Sequence, residues 1–120
     1  MKSTLTLAVL VSSLALGYAR ADEGKKVTLT GEIIDLSCYF KGEEMGKAHA
    51  ACAKACLKKG ESAGLLGADG NVTLLIENHD FEKAFKNVRN LGGSKATVTG
   101  VQNDKGGLKA LVVSEAEKAK

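Results

Sequence analysis

The chain has 120 residues, with 17 Lys and Arg against 14 Asp and Glu. Aromatic residues make up only 4%, and the basic residues form no stripe. Both the electrostatic and the stacking signs of a nucleic-acid binder are therefore missing.

The N-terminus reads as an export signal. Lys2 precedes an apolar run from Leu5 to Leu16, broken only by Thr6, Ser12 and Ser13. Ala19-Arg20-Ala21 then offers small residues at the two positions a signal peptidase reads. Residues 1–21 are expected to be removed, leaving one domain over 22–120 in the periplasm or outside the cell. The run is shorter than the ~20 residues a spanning helix needs. No second apolar run follows, so no membrane span is expected in the mature chain. Lys2 and Arg20 leave with the signal, so 15 basic residues face 14 acidic ones and the net charge falls to +1. Small exported domains often draw added stability from disulfides or metal.

A β-rich run opens the mature part at Val27, Leu29, Ile33, Ile34 and Leu36. Its apolar alternation changes phase after Gly31, which predicts a bulge in a curling strand. The run ends at Ser37-Cys38-Tyr39-Phe40, placing Cys38 at the end of the first strand. A Gly- and Glu-rich loop, Lys41 to Gly46, follows. Lys47 to Lys59 has helical composition, with Gly60 as its stop. Ala63 to Leu66 and Val72 to Ile76 read as a hairpin around Ala68-Asp69-Gly70-Asn71. Asn78 or Asp80 can cap a second helix, whose apolar face is Phe81, Ala84, Phe85, Val88 and Leu91. Gly92-Gly93 ends it. Ala96 to Val101 and Leu108 to Val113 form a second hairpin across residues 102–107.

With the Cys-bearing helix set aside as an insertion, three strands, a helix and two strands remain. That is the element order of an OB-fold, a small five-stranded Greek-key barrel. The expected class is mainly β with two helices: an OB-like barrel carrying an inserted Cys/His-bearing helix. A plain α+β sandwich is the rival.

All three cysteines lie between Cys38 and Cys56, with His49 among them. On one helix, residues 49, 52 and 56 fall within a narrow stripe. Three thiols and an imidazole are the ligand set of a tetrahedral Cys3His site for zinc. Thiolates also favour Cu(I), and Met45 is a further soft donor. Helical rise separates His49 from Cys56 by about 10 Å, too far for one ion. Either the helix starts after His49, or the site uses only one of the two, or His49 is peripheral. Exported thiols also oxidise, so a disulfide from Cys38 to Cys52 or Cys56 with one spare thiol stands as an alternative. Three cysteines cannot all pair within one chain.

These residues carry a resemblance. Gly31-Glu32-Ile33-Ile34-Asp35-Leu36-Ser37-Cys38-Tyr39, His49-Ala50-Ala51-Cys52-Ala53-Lys54-Ala55-Cys56, and then Gly60 and Gly64-Leu65-Leu66, resemble a largely uncharacterised family of small exported bacterial proteins. The resemblance implies an exported OB-like domain and supplies no activity.

Among other candidates, Asp35 can hydrogen-bond a ligand from behind. Glu43 and Glu44 read as solvated loop charges or a hard-metal contact. Lys54, Lys58 and Lys59 read as the wet side of the helix, able to lower a nearby thiol pKa. His79 reads as a surface or capping histidine. No G-x-S-x-G, P-loop or paired-carboxylate signature is present, so no enzyme is expected. The leading expectation is an exported protein binding copper or zinc through Cys38, His49, Cys52 and Cys56. A disulfide-stapled OB-like module, binding another exported protein, is the alternative. A thiol redox protein is the third reading, and it lacks the usual C-x-x-C.

Overall fold

A computed structural model describes residues 24–120. The expected signal segment, 1–21, lies outside the described residues. Five strands form a mixed sheet that closes in a ring: β1 (Lys25–Asp35), β2 (Ala63–Leu66), β3 (Val72–Ile76), β4 (Lys95–Lys105) and β5 (Leu108–Lys118). Their order around the ring is β1-β2-β3-β5-β4. All pairings are antiparallel except β3 with β5. Among the described residues three helices accompany them, where two are expected from the sequence: α1 (Leu36–Gly42), α2 (Ala50–Lys58) and α3 (Glu82–Asn90). Among the described residues, no helix is long and apolar enough to cross a membrane.

The long first strand serves two neighbours. Lys25 to Glu32 pairs with β4, and Glu32 to Asp35 pairs with β2. Gly31 sits at this handover and pairs in regular register, so the expected bulge is absent there. Its role is close approach, because a Cβ would lie 2.5 Å from the Leu66 carbonyl oxygen. The register shift falls instead between Thr99 and Gly100 of β4, against β5. Gly100 meets β5 without room for a side chain.

The interior collects Ile33, Leu57, Leu65, Leu75, Phe85, Val88, Val98, Leu111 and Val113, all buried. Burying such a side chain contributes about 1.5–3 kcal/mol, so the strands and both longer helices share one core. Of the apolar face expected on α3, Ala84, Phe85 and Val88 are buried and Leu91 packs against the core, while Phe81 is exposed. Asn78 caps the 3-10 turn His79–Phe81 that leads into α3, and His79 is exposed.

The hairpin read at residues 68–71 closes β2 and β3, with Asp69 accepting from the Asn71 amide. The second hairpin is tighter than its sequence suggests. Gly106 and Gly107 both have positive φ, the requirement of a two-residue I′ turn. The strands therefore extend into Asn103, Asp104 and Lys105, whose polar character disguised them as loop.

Candidate metal centre

Two helices bring the cysteines together. Cys38 is not at the end of the strand as expected but in the first turn of α1. Asp35 ends β1 fully buried and turns the chain into that helix, its Oδ1 accepting from the Cys38 amide at 2.8 Å. An Asp at the N-cap satisfies one of the amides that a helix start leaves unpaired. The Leu36 amide donates to the Ser62 carbonyl at 2.9 Å, and Ser37 Oγ donates to Glu61 at 2.6 Å. These bonds tie α1 to the segment that follows α2.

The second helix is held at both ends. Its last residues close on Gly60 at φ +103, with the Glu61 amide bonding the Cys56 carbonyl and the Gly60 amide bonding that of Leu57. This is the Schellman arrangement, and it needs the left-handed conformation that glycine supplies. On the inner face Ala53 and Leu57 are buried. Gly92 and Gly93 lie against the backbone of α2, and a Cβ on Gly93 would stand 2.4 Å from the Ala50 Cα. The same glycines bond β1, since the Gly93 amide donates to the Ile33 carbonyl at 2.7 Å. Small residues thus let α2 sit directly on the ring beside Asp35.

The helix does not run continuously from Lys47 to Lys59. Residues Lys47–His49 form a separate 3-10 turn, and α2 begins at Ala50. The Gly46 amide preceding this turn is bonded by the Glu32 carboxylate. His49 therefore leaves the stripe of Cys52 and Cys56 and turns toward β1. Its Nε2 lies 3.0 Å from Asp35 Oδ2, and its Nδ1 lies 3.5 Å from Glu44 Oε2. The imidazole is mostly buried, at 11% exposure.

Two groups of ligand atoms result, each with all members within 4.8 Å of one another: Cys38, Cys52 and Cys56, and Asp35, Cys38 and His49. Either has the geometry to hold a metal ion. The four residues expected to act together thus fall into two sets that share Cys38. Tetrahedral zinc with Zn–S bonds of about 2.3 Å sets sulfurs ~3.8 Å apart, so the thiols need to close by about an ångström at most. All three cysteines are free, and no pair stands at disulfide distance.

The electrostatics around Cys38 and Cys56 disfavour bare thiolates. The Asp35 carboxylate, which accepts from the Cys38 thiol, pushes that thiol up to about 12, and burial adds to the effect. Burial, and then Cys52, push the Cys56 thiol up. The lysines of α2 do not lower them. Burial alone raises Asp35 as well, but hydrogen bonds from the Cys38 amide, His49 and the Cys38 thiol outweigh it and hold the carboxyl below its usual range. The centre thus sets a buried carboxylate beside the Cys38 and Cys56 thiols, both held toward their protonated forms, an environment that a cation relieves.

Asp35, expected behind a ligand, contacts both Cys38 and His49. Glu32, which anchors the His49 turn, is not among the residues singled out from the sequence, and Glu44, expected as a solvated loop charge or a hard-metal contact, faces His49. Glu32 stands 14 residues from Gly46 with no periodic pattern to link them, and Glu44 reaches His49 across the non-helical residues 43–46. Met45 and Phe40 are exposed beside this region, at 45% and 76%. No family model, no curated protein and no solved structure matches this chain.

Proposed function

We propose that this is an exported Cu(I)-binding protein whose ion sits between the sulfurs of Cys38, Cys52 and Cys56. The observation that carries the reading is the convergence of three free thiols from two separate helices on one point. Three thiolates alone complete a site for Cu(I), whereas zinc held by three protein donors leaves a fourth position that water must fill. Among the described residues, no fourth protein donor joins the three-thiol group, because His49 is engaged with Asp35. The ring order β1-β2-β3-β5-β4, with β3 and β5 parallel, supports an OB-like barrel as the scaffold. Its Cys-bearing segment, residues 36–62, is an insertion between the first two strands. The export signal and the motif resemblance belong to the same reading. The protein takes no part in catalysis and holds its ion in the periplasm or outside the cell.

Competition titration with a chromophoric Cu(I) chelator tests this on reduced mature protein. Wild type should bind one Cu(I), and Cys52→Ser and Cys56→Ser should each weaken it by at least ~100-fold, since each removes a ligand of a three-ligand site. Binding no tighter than that of the triple Cys→Ser protein removes the copper reading.

The same closeness of the sulfurs favours a second reading, a disulfide-stapled module that binds another exported protein. Cys38, on a different helix, can join Cys52 or Cys56 if their sulfurs, now within 4.8 Å, close to bonding distance. Thiol counting on protein taken from its own compartment separates the two. Three protected or free thiols support metal, and a single free thiol supports the staple.

A further inference from the structure

We propose that Cys38 is shared by two overlapping metal sites, so that Cu(I) at Cys38, Cys52 and Cys56 displaces a divalent ion of the zinc class held by Asp35, Cys38 and His49. This rests on the copper reading above and adds a second ion to it.

The mixed group is built as a metal site is built. Its donors are a carboxylate, a thiol and an imidazole, all within 4.8 Å of one another, and water would fill the fourth tetrahedral position, as it does in three-ligand zinc sites. The His49 Nε2 to Asp35 Oδ2 distance is 3.0 Å. Bonds of ~2.0–2.1 Å to tetrahedral zinc place nitrogen and oxygen about 3.3 Å apart. The pair is therefore nearly at its metal-bound spacing already. The other ring nitrogen, Nδ1, faces Glu44 at 3.5 Å. A zinc-bound histidine almost always directs its second nitrogen to a carboxylate or carbonyl, which fixes the ring's orientation. Asp35 is fully buried and bonded through its other oxygen to the Cys38 amide, so it is held rigidly.

The two sets differ in softness. Three sulfurs suit Cu(I), whereas one sulfur with nitrogen and oxygen suits a borderline divalent ion. Both sets need the Cys38 sulfur. When Cu(I) takes it, Asp35 and His49 remain, and two ligands are too few to hold zinc. The divalent ion is then a placeholder that keeps Cys38 ionised and the His49 turn in place until Cu(I) arrives.

The experiment uses reduced mature chain under anaerobic conditions, loaded with one equivalent of Zn(II) and titrated with Cu(I), with released zinc read by a chromophoric chelator. Zinc should leave one for one as Cu(I) binds. His49→Ala should weaken zinc by at least ~10-fold and leave Cu(I) affinity within about twofold, while Cys52→Ser should do the reverse. Glu44→Gln, an exposed change with little risk to folding, should weaken zinc alone. Cys38→Ser should lose both ions. Zinc retained after one equivalent of Cu(I), or zinc affinity indifferent to both His49→Ala and Glu44→Gln, overturns the shared site and leaves the copper reading standing. Cu(I) affinity indifferent to Cys52→Ser overturns the copper reading itself.

Discussion

Replacing Gly93 by alanine should dislodge α2 and, with it, the metal centre. Two costs combine at this position. The backbone has φ +73, where a residue other than glycine pays roughly 1–2 kcal/mol. The new Cβ would also stand 2.4 Å from the Ala50 Cα and 2.7 Å from its Cβ. Ordinary contact begins about an ångström farther out, so α2 must lift by that amount, and such overpacking costs typically 1–3 kcal/mol. The sum is about 2–5 kcal/mol. Gly106→Ala is the matched control, with φ +60 and nothing within 4 Å of the new Cβ. It carries only the conformational cost, and any stiffening of the unfolded chain is common to both variants. Urea unfolding of the reduced, metal-free proteins should therefore show Gly93→Ala the less stable by about 1–3 kcal/mol. Cu(I) affinity should fall in Gly93→Ala alone, because Ala50 adjoins His49 and precedes Cys52 by half a turn. Equal loss of stability in the two variants would refute the claim that α2 is seated on Gly93.

Two further outcomes follow from the electrostatics of the metal-free centre. Asp35 titrates below its usual range when folded, so the stability it supplies is present above an unfolded carboxyl value of about 3.9 and drains as pH falls toward the lower folded value. Asp35→Asn should flatten the acid limb of a stability–pH curve below about pH 5, and an unchanged limb counts against a native-state carboxylate there. With its thiol pushed up to about 12, Cys38 should alkylate last at pH 8, and exposed Cys52 first, by peptide mapping after iodoacetamide. Preferential labelling of Cys38 contradicts the Asp35 contact.

The alternation and turn residues made the strands and α3 legible, because each answers to a local rule: period two, helical spacing, Asp-Gly and Gly-Gly turns. The α1 helix was hidden because its seven residues are too few for a period. Its existence depends on one cap, Asp35, and on bonds to Glu61 and Ser62 far along the chain. The break at His49 was one of three ways to resolve a distance conflict on a continuous helix. Spacing alone gave no means of choosing, since the choice is made by the Glu32 contact to Gly46 and by Asp35 facing the imidazole. The stripe of Cys52 and Cys56 was readable from four-residue spacing, and Cys38 meets it as expected, though from a helix and not a strand. Gly31 misled for a physical reason. A glycine at a phase change marks either a bulge or a close approach, and here the carbonyl of Leu66 claims the space.

X-ray absorption at the copper edge of Cu(I)-loaded mature protein tests the central claim most directly. Three sulfur neighbours, with no nitrogen or oxygen neighbour, is the result expected for an ion between Cys38, Cys52 and Cys56. A nitrogen neighbour lost in His49→Ala, or a two-sulfur ion unchanged by Cys56→Ser, would contradict it.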